Sequence, residues 1–357
     1  MKNQLLVVIA ICAMLFASCS NENELKPTVN SVVFELKATD HLDNGFDTRT
    51  GLYSQTPVNN VDMVTVYAFK NDGNGNFLYA RTFNITGWTK GLTTYRHEVP
   101  QSEILTGGGT FKFIAVGRNN TGTDGYTIAT PTAQTNFNNF LATGFLPAVR
   151  YDIFAGNTDE VVIPADGSGI IPITMTRKVA GILGYFSNVP TTINNVTVGR
   201  LAVIMEVTGN SAVNLVTGVG SQPSVNNFSV VGFIDLTQQG NDGNFYTGNN
   251  TGVVGMQKLP NTQLDGFFIY PMTGARMVLQ LTGTNNVLLK EWPIVNESGA
   301  ETFDLVANHL YSIGSKPSTT STNNDNPINL SKDEIIVISI DADWNTIHDL
   351  NVTNLTN

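Results

Sequence analysis

The chain has 357 residues, a formal net charge of -10 and only 13% charged residues. An acidic, weakly charged chain lacks the basic surface that binding to nucleic acid requires, so a nucleic-acid partner is excluded. The hydrophobic fraction of 41% is enough to build cores, and the length allows two domains of ordinary size.

The first predicted element is a signal peptide. A positive charge precedes the short apolar run 5–16, and the small residues Ala17 and Ser18 stand before Cys19. This order is typical of secretory signal peptides, and the run is shorter than the roughly 20 residues that span a bilayer. The sequence before Cys19 resembles a bacterial lipobox, so we expect residues 1–18 to be removed and Cys19 to be lipidated. The alternative is an ordinary signal peptide with an incidental cysteine.

The next segment, residues 19–30, is a predicted polar tether. The other cysteine, Cys12, lies inside the predicted signal peptide, so the mature chain has no internal disulfide and no cysteine metal site. An exported chain without disulfides depends on its hydrophobic cores, which predicts large folded modules.

The rest of the chain is predicted to be all-β, because turn and strand formers are abundant and good helix formers are scarce. Short apolar runs alternate with clusters of Gly, Asn, Asp and Pro, a pattern typical of β-sandwiches. The first predicted domain, residues 31–175, contains the predicted strands 32–37, 61–69, 77–79, 110–117, 160–164 and 169–175.

The second predicted domain, residues 176–357, shows the same pattern. A loop at 315–329, rich in Ser, Thr, Asn and Pro, is expected to be mobile. The predicted strands of this domain are 178–186, 196–207, 228–236, 267–270, 277–281, 287–292, 308–314 and 334–340.

The sequence contains no motif for catalysis. Its four histidines form no metal-binding pair, and it has neither a nucleophile elbow nor a phosphate-binding loop. We therefore expect no enzyme activity, no cofactor and no metal.

Two acidic patterns admit a binding role beside a simpler one. Asp72, Asn74 and Asn76 match the start of a calcium loop, but the later Glu is missing, so a hairpin turn is favoured. Asp341 and Asp343 would point the same way on a strand, where they would bind a cation or, more commonly, form a solvated strand end.

Several segments together resemble the Bacteroidetes fimbrillin superfamily, the major or accessory subunits of type V pili. The resemblance is spread over nearly the whole chain, keeps the family's order and includes the lipobox. The matching segments are Asn308-His309-Leu310-Tyr311-Ser312-Ile313-Gly314, Met175-Thr176-Arg177-Lys178-Val179-Ala180, the run 61–69 with its following hairpin, and the glycine-led strand 108–116.

The resemblance implies two transthyretin-like, Greek-key β-sandwich domains and a processing event. In the family, a trypsin-like protease cuts after an arginine that follows the first strand, and loss of that strand opens a groove. Here the first arginine is Arg49, in a polar, glycine-flanked loop, so the predicted cleavage bond is Arg49–Thr50 and residues 31–49 would be lost. The alternative is that Arg49 is merely an exposed loop residue.

A strand donated by the next subunit would fill that groove, and head-to-tail donation builds a filament because it does not close. The candidate donor is the segment 333–357, in which Ile336, Ile338 and Ile340 share one apolar face. The alternative is that this segment is only the last strand of the second sandwich.

The resemblance thus implies a structural subunit of a cell-surface fimbria that contributes to adhesion. Its partners would be other fimbrial subunits, the outer membrane through its lipid before processing, and host or bacterial surface ligands. A rival interpretation is an anchor or glycan-binding lipoprotein that stays uncut and monomeric. A glycan binder would stack sugars on exposed aromatic side chains such as Trp88 or Tyr95, although isolated tryptophans in sandwiches more often fill the core.

Overall fold

The structure is a computed structural model that describes most of the chain in separate stretches. These stretches are residues 31–38, 61–100, 107–119, 126–144, 148–149, 152–165, 169–208, 211–221, 225–236, 262–314, 328–331 and 336–341.

The first half of the described chain is built almost entirely of strands, with one 3₁₀ turn at Phe137–Asn139. In chain order its strands are β1 (Ser31–Ala38), β2 (Met63–Asn71), β3 (Phe77–Ile85), β4 (Thr94–Pro100), β5 (Gly109–Arg118), β6 (Thr127–Ile128), β7 (Leu141–Gly144), β8 (Ala148–Val149), β9 (Phe154–Asn157), β10 (Val161–Ile163) and β11 (Gly169–Arg177).

The second half continues in the same way. Its strands are β12 (Ala180–Ser187), β13 (Thr192–Ile193), β14 (Val196–Thr208), β15 (Ser211–Asn214), β16 (Gly220–Ser221), β17 (Val225–Asp235), β18 (Thr262–Ile269), β19 (Met272–Gly283), β20 (Leu288–Val295), β21 (Thr302–Leu305), β22 (Leu310–Ile313), β23 (Ile328–Asn329) and β24 (Ile336–Asp341).

Two large sheets carry the fold. The first has the order β3-β2-β5-β9-β11-β1-β4, with β10 paired to the start of β5. The second has the order β13-β14-β19-β20-β24-β22-β12-β18-β8, and β17, β21 and β23 pair with β14, β19 and β12. Both sheets are curled, and the expected all-β fold with two β-sandwich halves is confirmed.

Each large sheet encloses its own hydrophobic core. The first core is formed by side chains from β1, β2, β3, β5 and β11, together with Trp88 from the β3–β4 connection. The second core takes side chains from β12, β14, β17, β19, β20, β22 and β24, including the buried Trp292. β11 alternates between buried and exposed positions, as one-sided burial of a sheet requires, whereas β2 and β5 are buried along most of their length.

A third, smaller sheet joins the two halves. Its order is β16-β15-β7-β6, so strands from residues 127–144 pair directly with strands from residues 211–221. A third core beneath it combines side chains of the first half, such as Phe69 and Phe140, with side chains of the second half, such as Val213 and Tyr270. The two halves are therefore held together by backbone pairing and by apolar packing.

A buried ion pair lies where the first half ends. Arg177 Nε donates to Asp152 Oδ2 at 3.2 Å, and both side chains are only 2% exposed. The guanidinium also lies 4.8 Å from the centre of the Phe154 ring. β11 continues to Arg177, two residues past the predicted domain boundary between residues 175 and 176, which stays a prediction.

Candidate functional site

The first strand of the chain lies in the interior of the first sheet. β1 runs parallel to β11, from Val32 opposite Gly169 to Ala38 opposite Met175. On its other side it runs antiparallel to β4. We call the space that β1 occupies between β11 and β4 the β1 slot.

The inner face of β1 is apolar and buried. Val32 and Phe34 are 0% exposed, Leu36 is 2% exposed, and Ala38 closes the row. Phe34 packs against two aromatic side chains, with its ring centre 5.4 Å from that of Phe83 and 5.5 Å from that of Phe113. Removing β1 would therefore open the first core, because these buried side chains would leave with the strand.

The outer face of β1 is mixed, because Val33 is fully buried and Glu35 is partly exposed. Glu35 forms an ion pair of 3.6 Å with Arg96 of β4, but their side chains are 44% and 30% exposed. Exposed ion pairs stabilise by about 0–1 kcal/mol. A strand in the β1 slot is therefore held mainly by its backbone hydrogen bonds and by its apolar side chains.

The candidate donor strand also lies inside a sheet. β24 runs parallel to β20, with Ile336 opposite Ile294, and antiparallel to β22, with Ile338 opposite Ile313. Ile336 and Ile338 are 0% exposed in the second core. The register places the backbone of Ile340 opposite Tyr311. We call this position between β20 and β22 the β24 slot.

The two slots have the same strand geometry. Each holds its strand between one parallel neighbour and one antiparallel neighbour. The sequences SVVFELKA and IVISID also match in pattern when Val32 is aligned with Ile336. The aligned apolar positions are Val32 with Ile336, Phe34 with Ile338, and Leu36 with Ile340.

One wall of the β24 slot contains the segment that resembles the fimbrillins. Asn308 takes a positive φ of 62° before the strand begins. The Tyr311 hydroxyl donates to Asp304 O at 2.9 Å and accepts from Val306 N at 2.9 Å, which fixes the turn that leads into β22. Burial raises the pKa of Tyr311 to about 12, so this hydroxyl stays protonated at neutral pH.

The segment between β22 and β24 is anchored at its far end. β23 pairs parallel with β12, with Ile328 opposite Phe186, and Leu330 is buried. The last two residues of the predicted loop 315–329 are therefore a strand. If β24 leaves its slot, the chain must either swing out after β23 or detach β23 from β12 as well. The sequence pattern missed β23 because Ile328-Asn329 follows a polar, proline-containing stretch.

The predicted lipidation and processing residues lie outside the described residues. This holds for Cys19, for Arg49 and for Thr50. The last described residue before Arg49 is Ala38, and the next described residue after Thr50 is Val61.

The calcium-loop pattern forms a hairpin turn. Asp72 Oδ1 accepts from the backbone N–H of Asn74 at 2.7 Å, and its other oxygen accepts from the side chain of Asn76 at 3.0 Å. These hydrogen bonds hold the pKa of Asp72 below its usual value. Positive φ values of 86° and 88° at Gly73 and Gly75 complete the turn. Within the described residues, no group of three metal-ligating side chains is found.

The tryptophans that the structure describes are core residues. Trp88 is 5% exposed and Trp292 is 1% exposed. Trp88 therefore presents no open ring face to a sugar, and its proposed stacking role is wrong because the ring is packed in the first core. Trp344 and Asp343 lie outside the described residues. None of the described helical turns is long and apolar enough to cross a membrane.

No family model matches the chain, and no curated protein matches it. Similar solved structures do exist. The fimbrial anchor protein Mfa2 from Porphyromonas gingivalis is 11% identical, with a TM-score of 0.44 over 87% of this chain and 96% of that one. A candidate adhesin from Bacteroides thetaiotaomicron is 11% identical, with a TM-score of 0.46 over 89% of this chain and 98% of that one.

A candidate polysaccharide-binding protein, also from Bacteroides thetaiotaomicron, is 14% identical, with a TM-score of 0.40 over 79% of this chain and 90% of that one. With TM-scores below 0.5, these neighbours assign no function to this chain.

Proposed function

We propose that this protein is a structural subunit of a cell-surface fimbria that assembles by strand exchange. Cleavage after Arg49 frees β1 from the rest of the chain, β1 leaves its slot, and the β24 segment of another copy enters it. The chain reaches the outer membrane as a lipoprotein acylated at Cys19 and loses that anchor when residues 19–49 depart.

The observation that carries this proposal is the interior position of β1. If β1 lay at the edge of the sheet, its removal would expose only one neighbouring strand and would create no groove. β1 instead separates β11 from β4 and buries Phe34 against Phe83 and Phe113. Its departure leaves unpaired backbone groups on two walls and an apolar floor, which together are a template for another strand.

The resemblance between the two slots supports β24 as the donor. A donated β24 that keeps the direction of β1 again has one parallel and one antiparallel neighbour. It then brings Ile336, Ile338 and Ile340 to the positions of Val32, Phe34 and Leu36. Ile338 is smaller than Phe34, so the aromatic pocket is the place where this exchange fits least tightly.

The test is the N-terminal residue of the protein recovered from the cell surface, together with its behaviour in detergent gels without boiling. We expect Thr50 at the N-terminus and a ladder of heat-sensitive oligomers. An Arg49→Ala variant should keep the lipidated Cys19 and give no ladder. A ladder from this uncut variant would contradict the proposed role of strand removal.

The second candidate function is an uncut, monomeric anchor or glycan-binding lipoprotein of the cell surface. It is favoured by the seating of β24 in its own sheet, with Ile336 and Ile338 fully buried. A blocked, lipidated Cys19 on surface material that contains only monomer would support this candidate and exclude the polymerising subunit.

A further inference from the structure

Among the described strands, β4 pairs with β1 alone. Seven consecutive residue pairs join the two strands, from Ser31 opposite Pro100 to Lys37 opposite Thr94. The N–H of Ala38 also donates to Thr93 O at 2.8 Å. When β1 leaves, all of these contacts are lost, and one wall of the β1 slot loses its strand partner.

A second attachment of β4 does not involve β1. The Tyr95 hydroxyl donates to Thr86 O at 2.9 Å, across the connection between β3 and β4. The Tyr95 ring meets the Trp88 ring edge-on, with 6.3 Å between the ring centres. Trp88 Nε1 in turn donates to Val61 O at 3.2 Å, two residues before β2 begins. β4 is thus tied to the β2–β3 part of the sheet through two aromatic side chains.

The backbone is shaped for this contact. Gly87 has a φ of 96°, and a Cβ atom at that position would lie 2.3 Å from the Tyr95 hydroxyl. Trp88 is almost completely buried, and Tyr95 and Leu92 pack beside it against the first core. The β3–β4 connection can therefore approach the Tyr95 side chain of β4 this closely only because residue 87 is a glycine.

We infer that Trp88 and Tyr95 are positioning residues that hold β4 in place while the β1 slot is vacant. They keep the slot a groove with two walls until a donated strand enters. This inference rests on the proposed departure of β1. In the intact chain the hold of these two residues on β4 is nearly redundant, because β1 itself holds β4.

The first test loosens β1 without cutting the chain. Hydrogen exchange of the β4 amides is measured in the full chain carrying Phe34→Ala, Tyr95→Phe or both. Tyr95→Phe alone should change exchange by less than about twofold. In the Phe34→Ala background it should speed exchange by about fivefold, the effect of losing one ordinary hydrogen bond. Phe34→Leu serves instead if Phe34→Ala does not fold.

A matched control is Tyr79→Phe, which removes a hydroxyl 2.8 Å from Thr82 Oγ1 on β3. It should leave β4 exchange unchanged in both backgrounds. Equal effects of Tyr95→Phe in the two backgrounds would overturn the inference, because the contact would then be an ordinary local one.

The second test uses the full chain cut between residues 39 and 60, with a labelled peptide of residues 31–38 as probe. The cut wild-type chain should exchange its own β1 for the peptide, and Tyr95→Phe should slow recapture about fivefold. Recapture at the wild-type rate would again overturn the inference. If the cut wild-type chain takes up no peptide, the proposed strand removal fails, while the exchange measurements on the uncut chain still decide the role of Tyr95.

Discussion

Phe34 lies between aromatic side chains of two other strands and is the largest side chain on the inner face of β1. Its neighbours Phe83 and Phe113 belong to β3 and β5, so this residue links the first strand to the opposite part of the sheet. A strand that enters the β1 slot must place a side chain at this point or leave a cavity there.

We predict that Phe34→Ala in the uncut chain lowers the free energy of unfolding by about 3–5 kcal/mol, because it removes buried apolar contacts and leaves a cavity. Urea unfolding followed through tryptophan fluorescence, to which Trp88 of the first core contributes, measures the change. The control is Ile170→Ala on the neighbouring β11, where Ile170 is 47% exposed and a change within about 0.5 kcal/mol is expected. A loss below about 1 kcal/mol for Phe34→Ala would show that the pocket collapses around the change.

For single residues, the sequence predicted which side chains of a strand share a face, but it did not predict which distant side chains they contact. Val32, Phe34 and Leu36 were predictable as one apolar face because side chains alternate along a strand. The hairpin at Asp72 was predictable from its Gly and Asn residues. The pairing of Trp88 with Tyr95 was not, because it depends on how the connection at Gly87 folds back.

At the scale of elements, β24 is held on both sides by its own sheet. Its last four residues pair with β22 in the order Ile338 with Ile313, Ser339 with Ser312, Ile340 with Tyr311, and Asp341 with Leu310. A strand in this position must leave its own slot before another copy can accept it. Covalently locking β24 in its slot would block donation and leave the rest of the folded chain unchanged.

We predict that a disulfide between Ser312→Cys and Ser339→Cys blocks assembly under oxidising conditions and permits it after reduction. Directly opposed residues of antiparallel strands have Cα atoms about 4.5–5.5 Å apart, within the range that a disulfide bridges. The only cysteines of the sequence are Cys12 and Cys19, both far along the chain from this pair, so the new disulfide is readily identified. Oligomer ladders with and without reductant are the measurement.

The single variant Ser339→Cys is the control and should assemble in both conditions. Ladders from the oxidised double variant, with the disulfide verified by mass spectrometry, would exclude β24 as the donor. A simpler substitution in the donor, Ile338→Asp, should also abolish assembly, but it would damage the second core as well and so would not separate the two effects.

The elements that the sequence predicted are the long apolar ones, such as β2, β5, β14 and β24. β4 was missed, although it forms a wall of the β1 slot. Its sequence TYRHEVP carries charged residues on its outer face and ends in proline, which is typical of a protected edge strand and weakens the apolar signal. The alternation of Tyr95, His97 and Val99 was the signal available.

At the scale of the whole molecule, the sheet formed by β6, β7, β15 and β16 joins the halves into one body. Val213 lies opposite Ala142 across this joint and is fully buried. Gly220 allows the close approach of the hairpin, since a Cβ atom there would clash with the backbone of Pro271. A force applied across this joint is carried by paired backbone as well as by side-chain contacts.

We predict that Val213→Asp destabilises both halves and splits their unfolding into two transitions, because it buries an unpaired charge in the joint. Scanning calorimetry of the full chain measures this. Val219→Asp is the matched control, since Val219 is 66% exposed in the same hairpin. A single transition with unchanged midpoint for Val213→Asp would mean that the joint does not couple the halves.

The joint was beyond prediction from sequence. Its strands are two to four residues long, and they are rich in Gly, Thr, Ser and Asn. Such segments resemble loops, and only the tertiary fold brings them together. The two large sheets, by contrast, follow from long β-branched runs.

The pairing of β1 with β11 also constrains the order in which the chain acquires its structure. Val32 meets Gly169, which is 169 - 32 = 137 residues later. During synthesis from the N-terminus, β4 is made early enough to pair with β1, but the parallel partner β11 is made only at the end of the first half. Contacts between such distant residues form slowly because the loop must close first. A newly made chain thus passes through a state in which the β1 slot lacks its β11 wall. Until β11 is in place, the exposed backbone edge of β1 can pair with another copy of the chain, so dilution during refolding should favour the monomer.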